Sequence, residues 1–275
     1  MTFEKVRIMG ILNVTPDSFS DGGRYFSTPS AVEKALEMVQ EGADIIDIGG
    51  ESTRPGARAV SEKEELDRVL PIIETLRSQI QIPISIDTTK SEVARAALKA
   101  GADIINDVDG LNAATEMAGL AREFDAGLVL MHRRGDSQTM QQLAQYEDVT
   151  EEVFRELNKS LKEVFEAGIS SEQVVLDPGI GFAKEAEQNL ELMANLKRFH
   201  SWGRPILVGP SRKSFIGTLT GKKVDEREWG SAAAVALSVA QGAHLVRVHE
   251  VRAMKDVVKI SEALVKAEEK THVRS

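Results

Sequence analysis

Polar side chains interrupt the ends of short apolar runs in this sequence, where a buried core would otherwise continue. They are Asn13, Asp47, Asp87, Asn106, His132, Asp177, Arg247 and His249. Burial of a lone carboxylate or amide is costly unless a partner satisfies it. Any one of these residues could be a helix cap, an ion-pair partner or a solvated rim residue, but the whole set together indicates a functional site.

Three of these residues have the chemistry to recognise a flat heterocycle. Asp87 and Asp177 offer acceptor oxygens, and the amide of Asn106 both donates and accepts. This combination suits a ring with several N–H donors and one acceptor edge, such as a pterin or a purine.

A second group of polar residues suits an anion. Arg247 and His249 are two residues apart on the last apolar run, so on a strand both side chains point the same way. Together with Asn13 they could bind a phosphate-type anion and its counter-cation.

The segment GPSRKSFIG (209–217) follows the seventh apolar run and predicts the start of a helix, where free N–H groups attract anions. Lys213 and Ser214 would lie at this point. Lys213 could instead be a Schiff-base lysine, although such lysines usually project from a strand. It could also be a solvated surface lysine, which its setting beside Gly209 and Pro210 disfavours.

The elements that would position these residues alternate along the chain, with short apolar runs separated by longer amphipathic ones. Strands are predicted at 7–14, 44–50, 82–89, 103–110, 127–132, 174–181, 204–211 and 244–251. The clearest helical patterns are 30–42, 61–78, 91–101 and 151–168, with Ser30, Ser61 and Ser91 as candidate N-caps. Eight such units predict a (β/α)8 barrel with its site at the C-terminal strand ends; a doubly wound open sheet is the alternative. No linker divides the chain, so a single domain over 1–275 is expected.

A weak internal repeat refines this arrangement. The segments GADIID (42–47), GADIIN (101–106) and GAHLVR (242–247) share a glycine, an alanine and a strand start. Their sixth residues are Asp47, Asn106 and Arg247. Because alternate strands of a barrel contribute side chains to common layers, these three are predicted to lie at one level of strands 2, 4 and 8.

Composition narrows the functional class. The chain has 275 residues with 34 basic and 43 acidic side chains, a net charge of −9, which disfavours binding to nucleic acid or an anionic membrane. The absence of cysteine excludes a disulfide framework and a thiolate nucleophile. The chain has neither an apolar run long enough to span a membrane nor a signal-peptide layout at its start, so a cytoplasmic enzyme is expected.

Seven motifs together resemble one enzyme family. They are NVTPDSFSDGG, GGESTRPGA, SIDTTK, IINDV, LDPGIGF, GPSRKSFIG and VRVHEV, in order from about residue 7 to residue 255. They closely resemble the dihydropteroate synthases, the folate-pathway enzymes that sulfonamides inhibit. The resemblance implies a (β/α)8 barrel that joins 6-hydroxymethyl-7,8-dihydropterin diphosphate to p-aminobenzoate and releases pyrophosphate.

The resemblance also implies roles for individual residues. The pterin ring would contact Asp87, Asn106, Asp177 and Lys213, with Met131 and Gly209 lining its pocket. The diphosphate would face Asn13, Thr53, Arg247, Val248 and His249, with Mg²⁺ shared between Asn13 and phosphate oxygens. The p-aminobenzoate side would be formed by Phe19, Pro55, Phe182 and Ser214. Of these, the residues implied to be catalytic are Asn13, Lys213, Arg247 and His249.

A mechanism follows from the same resemblance. Cleavage of the C–O bond can run ahead of nucleophilic attack, because the pterin delocalises positive charge at its exocyclic methylene. The arylamine then needs no strong general base. The polar loop at 15–23 is interpreted as a lid with Gly22 and Gly23 as its hinge.

Departures from the family pattern are few, and two rival functions stay open. Arg133 stands where the family often has an apolar residue, and Glu250 where aspartate is commoner; the roles of Arg133 and Arg134 are not evident. The rivals are a methyltransferase barrel that uses methyltetrahydrofolate and a non-catalytic pterin-binding paralogue, both disfavoured by the intact diphosphate residues. A monofunctional enzyme is expected, since no additional catalytic module is evident beside the barrel. The helix at 231–243 is apolar on nearly every face, which a homodimer such as that of the family would explain.

Overall fold

The computed structural model describes residues 3–15, 28–54, 56–110, 112 and 114–272. The strands are β1 (Arg7–Asn13), β2 (Ile45–Gly49), β3 (Ile84–Asp87), β4 (Ile104–Asp107), β5 (Gly127–Met131), β6 (Val174–Asp177), β7 (Leu207–Val208) and β8 (Leu245–Val248). All pair in parallel, in the order β6-β5-β4-β3-β2-β1-β8-β7. One bridge, between Leu176 and Ile206, joins the two edges, so the sheet is a nearly closed barrel as predicted.

Helices surround this barrel. They are α1 (Thr28–Glu41), α2 (Glu62–Arg77), α3 (Ser91–Ala100), α4 (Ala114–Glu123), α5 (Val149–Glu166), α6 (Ala186–Ala194), α7 (Ser214–Thr220), α8 (Glu228–Ala240) and α9 (Val251–His272). The connection from β7 to β8 carries both α7 and α8. The short helix α7 directly follows the segment that contains Lys213.

Strand alternation separates two layers of core. On β2, Ile46 and Ile48 face outward and join the main hydrophobic core beneath the helices. Ile45 and Asp47 face inward. Ile45 belongs to a smaller cluster inside the barrel, which also contains Met9, Val129, Leu207 and Leu245. This apolar cluster forms the floor on which the polar side chains lie.

Several predicted boundaries were wrong in detail. The run 204–211 yields only the two-residue strand β7, because Pro205 and Pro210 flank it and proline has no N–H to donate to a sheet. The Ser61 side chain caps α2 by accepting a hydrogen bond from the Glu64 N–H at 3.2 Å, as predicted.

The other two predicted N-caps were wrong. Ser91 is the first residue of α3, since Lys90 before it has the extended backbone of an N-cap. Ser30 lies inside α1, which begins earlier, with Pro29 in its first turn, a position that tolerates proline.

None of the helices in the described part of the chain is both long enough and apolar enough to cross a lipid bilayer.

Candidate active site

A buried polar layer lies above the barrel floor. The Asp47 Oδ2 atom accepts hydrogen bonds from Asn106 Nδ2 at 3.0 Å and from Arg247 Nε at 2.6 Å. Asp47 has no solvent exposure and Asn106 is 2% exposed. The three side chains therefore meet at one level of β2, β4 and β8, which confirms the prediction from the internal repeat.

Arg247 also connects this layer to β3. Its Nη2 atom donates to Asp87 Oδ2 at 2.6 Å. Burial acts to lower the pKa of Arg247, but the carboxylates of Asp47 and Asp87 outweigh it and raise the pKa. Two carboxylates share one guanidinium, so the group carries one net negative charge when all three are ionised.

One oxygen of each of these carboxylates has no partner. Asp47 Oδ1 and Asp87 Oδ1 are both buried and accept no hydrogen bond within the described residues. Burial raises the pKa of Asp87 to about 7, although the Arg247 charge opposes this. An unpaired buried acceptor is costly to maintain, so a ligand N–H that reaches Asp87 Oδ1 would remove an existing penalty.

Strand register places the neighbouring site residues in a row. Asn13 pairs with Gly49, Gly49 with Asp87, and Asp87 with Asn106. On the other side of the barrel, Met131 at the end of β5 pairs with Asp177 at the end of β6. The predicted residues of β1, β3, β4, β5 and β6 therefore converge on the C-terminal mouth of the barrel.

The loop after β6 brings Asp177 and Lys213 together. The Gly179 N–H donates to Asp177 Oδ1 at 2.7 Å, and burial raises the pKa of Asp177 to about 6. The Lys213 Nζ atom lies 3.8 Å from the centroid of the Phe182 ring, a cation–π contact. Burial lowers the pKa of Lys213 to about 7, with Arg247 acting in the same direction and Asp177 and Asp87 opposing.

Apolar side chains form one wall beside these charges. Met131 and Phe182 are 2% and 6% exposed and pack in a cluster with Val108. Gly209 lies against Arg247: a Cβ atom added at this glycine would be 3.6 Å from Arg247 Cβ. The wall and the carboxylates together outline a slot with one apolar side and one row of acceptors.

The end of β8 presents His249 to the same mouth. Its backbone N–H donates to Ser211 Oγ at 3.3 Å, and its Nδ1 lies 3.0 Å from the same hydroxyl. Burial, followed by the charges of Arg212 and Arg247, lowers the pKa of His249 to about 3, so the ring is neutral at pH 7. The side chain of the preceding Val248 is fully buried beneath the helices, so any ligand contact it makes must come from its backbone.

Of the remaining predicted residues, Thr53 and Ser214 lie in the described part of the chain. Thr53 lines a cavity of about 130 Å³ together with Asp87, Val108 and Arg133. Ser214 is exposed at the start of α7, directly after Lys213. Phe19 and Pro55, predicted to contact p-aminobenzoate, lie outside the described residues, as does most of the predicted lid.

The two unassigned arginines have different surroundings. Arg133 is 5% exposed and lies 3.5 Å from Asp109 Oδ2, and its Nε has no partner in the described part of the chain. Arg134 pairs with Glu152 at 2.8 Å and with Glu156, and it lies over the Tyr146 ring. Arg134 is thus part of an ion-pair network on α5, whereas Arg133 borders the cavity.

His132 does not face the mouth. Because Met131 points into the barrel, the next residue on the strand points outward. His132 is fully buried against α5, with Nε2 3.0 Å from Glu156 Oε2. His132 was a candidate site residue because of its position near a strand end, and that prediction was wrong: consecutive side chains of a strand alternate between the two faces.

Two further residues support the site. Asp47 was a candidate from the sequence without an assigned role, and Lys184 was not a candidate. Asp47 holds both Asn106 and Arg247, and the repeat containing it was the available signal. Lys184, 3% exposed, hydrogen-bonds to the loop after β6. In the sequence, Lys184 is the last residue of the segment LDPGIGFAK. Nothing in that segment indicates that the lysine is buried.

Comparisons with known proteins identify the family of this chain. A family described as pterin binding enzyme matches residues 9–249. A dihydropteroate synthase of Synechocystis sp. is 51% identical over 262 residues, covering 95% of this chain and 91% of the relative.

Solved structures are similar across nearly the whole chain. A Xanthomonas albilineans dihydropteroate synthase with 4-aminobenzoic acid has a TM-score of 0.90 and 44% identity, covering 96% of this chain and 94% of that chain. A Yersinia pestis dihydropteroate synthase in a sulfonamide drug complex has a TM-score of 0.90 and 40% identity, covering 96% of each chain. The chain therefore belongs to the pterin binding enzyme family, among its dihydropteroate synthases.

Proposed function

We propose that the barrel mouth joins 6-hydroxymethyl-7,8-dihydropterin diphosphate to p-aminobenzoate, with the ring held by β3, β4 and β6 and the diphosphate held by β1 and β8. The observation that carries the ring assignment is the buried Asp87 Oδ1, which has no hydrogen-bond partner among the described residues. A pterin N–H donor at this oxygen would complete its hydrogen bonding.

The ring slot has complementary chemistry on its other sides. Asn106 lies next to Asp87 in register, and Asp177 lies opposite with Lys213 nearby. Met131 and Phe182 supply an apolar wall on which a flat ring can pack. A pterin presents both N–H donors and an acceptor edge, which Asp87, Asp177 and Lys213 would match in turn.

Arg247 is placed to stabilise the leaving group. Its Nε and Nη2 are held by carboxylates, while Nη1 makes no hydrogen bond within the described residues. As the C–O bond breaks, its electron pair moves to the departing pyrophosphate. A guanidinium held in place by two carboxylates stabilises the charge that develops in the transition state.

The other product of C–O cleavage is a cationic methylene delocalised over the pterin. The arylamine nitrogen of p-aminobenzoate attacks it with its lone pair and then loses a proton to water. Since the amine is uncharged at neutral pH, the step needs no strong base. The role of the slot is to hold the two rings in line and to exclude competing water.

Asn13 is the residue proposed to hold Mg²⁺. Its side chain is half-buried at the end of β1 and makes no hydrogen bond to a described residue, so its amide oxygen is available. Mg²⁺ commonly takes few protein ligands and completes its shell with substrate phosphates and water, which fits a site with a single amide. The ion would supply positive charge to the diphosphate when bound.

The p-aminobenzoate side is proposed to lie between Phe182, Ser214 and the residues outside the described range, Phe19 and Pro55. The solved relatives bound to 4-aminobenzoic acid and to a sulfonamide drug support this class of ligand. Sulfonamides are accordingly expected to compete with p-aminobenzoate here.

Pyrophosphate release measured with both substrates tests the proposed function. Release should require the dihydropterin diphosphate, p-aminobenzoate and Mg²⁺ together. Transfer of a methyl group from methyltetrahydrofolate, or pterin binding without turnover, would instead support the rival functions.

We also propose a homodimer in the cytoplasm. Large apolar side chains are exposed on the adjacent helices α8 and α9: Trp229 (83%), Leu237 (64%), Ile260 (63%) and Leu264 (66%). A second copy covering them would explain this surface. Leu237→Glu should therefore shift the mass measured by light scattering to that of a monomer, whereas the same substitution at the exposed Leu219, on α7, should not.

A further inference from the structure

A buried ammonium group lies behind the proposed ring slot, outside the residues assigned above. Lys184 is 3% exposed and follows the loop that leaves β6. Its Nζ atom donates to the Gly179 carbonyl at 3.0 Å and to the Phe182 carbonyl at 2.9 Å. It also lies 2.9 Å from His132 Nδ1.

The three partners favour the charged form of the Lys184 amine and oppose the effect of burial, which lowers its pKa to about 7. An ammonium has three N–H donors, and each of the three partners can accept one of them. Burial, together with the Lys184 charge, lowers the pKa of His132 to about 3, so the imidazole is neutral. Since Nδ1 accepts from Lys184, the ring proton is on Nε2, where it donates to Glu156 at 3.0 Å. The loop is thus connected through one lysine and one histidine to α5.

The loop that Lys184 holds has an unusual backbone. Gly179, Gly181 and Ala183 all have positive φ, of 74°, 83° and 49°. A Cβ at Gly179 would lie 1.9 Å from the His132 carbonyl oxygen, so the loop passes directly against β5. A left-handed backbone is costly for alanine and persists only where the surroundings enforce it. The hydrogen bonds from Lys184 to the Gly179 and Phe182 carbonyls help to hold this backbone conformation.

The same loop determines where Lys213 can lie. A Cβ at Gly181 would be 2.7 Å from Lys213 Cδ, so the lysine stem runs along this glycine. Its ammonium lies over the Phe182 ring at 3.8 Å. Rotation of the Phe182 carbonyl would therefore displace both the apolar wall and the cation of the slot.

We propose that Lys184 is a positioning residue, whose ammonium fixes the loop after β6 so that Phe182 and Lys213 are preorganised for the pterin ring. This inference rests on the proposed function, because it assigns the residue to the same site. Lys184 touches no substrate and acts only through the loop.

The first test is Lys184→Met, which keeps an unbranched apolar stem of four heavy atoms and removes the three donors of the ammonium. The affinity for the dihydropterin diphosphate, measured by calorimetry, should fall about tenfold to a hundredfold, because both carbonyls lose the Lys184 donor and the loop relaxes. Among the described residues, the Gly179 carbonyl keeps only the Phe182 N–H, at 3.2 Å. KM for this substrate should rise more than kcat falls. Lys159→Met is the matched control, since Lys159 is 81% exposed on α5.

A pair of substitutions at His132 separates positioning from packing. His132→Asn keeps an acceptor near the Nδ1 position, and His132→Gln keeps a polar group near the Nε2 position. Both remove the same ring, and Glu156 retains Arg134 as a partner in either variant. A positioning role predicts near wild-type pterin affinity for His132→Asn and a defect for His132→Gln in the direction of Lys184→Met.

The outcomes are distinct. Equal defects in the two His132 variants, or wild-type pterin affinity in a folded Lys184→Met, would overturn the inference while leaving an active wild-type enzyme and its function intact. Absence of pyrophosphate release by the wild type would overturn the proposed function and this inference with it. If Lys184→Met fails to fold by circular dichroism, the His132 pair decides alone.

Discussion

Substitution of Asp87 by asparagine tests the central recognition claim. Asp87 Oδ2 accepts a hydrogen bond from Arg247, and Asp87 Oδ1 is buried without a partner in the part of the chain that the structure describes. An asparagine side chain has one acceptor and one donor end. Its single oxygen can accept a hydrogen bond from Arg247 or from a ligand N–H, but not from both. The other donor would then face the NH₂ group of the asparagine and lose its hydrogen bond.

The expected cost follows from this single lost bond. A hydrogen bond to a charged group contributes about 1.5–3 kcal/mol, which corresponds to roughly 10- to 150-fold weaker binding of the dihydropterin diphosphate. Stability should not fall in parallel. Burial raises the pKa of Asp87 to about 7, so its ionised form destabilises the fold, and that cost grows as pH rises from about 4 through 7. The neutral amide of Asp87→Asn removes this pH-dependent loss of stability.

Calorimetric titration of the dihydropterin diphosphate, with thermal unfolding measured on the same samples, is the assay. Asp103→Asn is the matched control: Asp103 also pairs with an arginine, Arg77 at 3.0 Å, but lies at the opposite end of the barrel. A folded Asp87→Asn protein whose pterin affinity is within threefold of wild type would refute the assignment of Asp87 to the ring.

Three further predictions concern the rest of the site. Arg247→Ala should abolish pyrophosphate binding and lower kcat strongly, whereas Ser214→Ala should mainly raise KM for p-aminobenzoate; identical kinetic defects would show that the two anions do not have separate sites. Phe19→Ala should weaken p-aminobenzoate and sulfonamide binding but leave pterin binding unchanged, and p-aminobenzoate should bind measurably only with Mg²⁺, pyrophosphate and pterin present; equal affinity for the apo enzyme would mean a preformed site. The pKa of Asp177 is raised to about 6, so kcat/KM for the pterin substrate should fall as the pH drops through 6 and the Asp177 carboxylate is protonated. Asp177→Asn should lower kcat/KM and remove its fall at acidic pH. If the fall persists in this variant, another group causes it.

Much of this site was predictable, because the alternation of side chains along a strand and the symmetry of a barrel can be read from residue spacing. Asp47, Asn106 and Arg247 each occupy the sixth position of a repeated segment, and equivalent positions on alternate strands share a layer. The same parity argument, applied to Met131 and His132, would have excluded His132.

Other features depend on contacts that no local pattern contains. Arg247 is separated by 200 residues from Asp47 and by 160 from Asp87, and their pairing requires closure of the barrel. Burial of Lys184 depends on a loop with three left-handed residues, of which only the glycines could be anticipated. The two-residue length of β7 depends on how the flanking prolines are accommodated.

The barrel joint between β6 and β7 has a thermodynamic consequence. These strands are linked by a single bridge at Leu176 and Ile206, whereas the other neighbours pair over two to five residues. Asp177 extends from one side of this joint and Lys213 follows the other. A ligand that binds both residues therefore fastens the least hydrogen-bonded joint of the barrel, and by mass action its binding energy resists local opening there. The bound substrate acts as a reversible cross-link between the two strands. The free energy of local opening at this joint should therefore increase with the concentration of the pterin substrate.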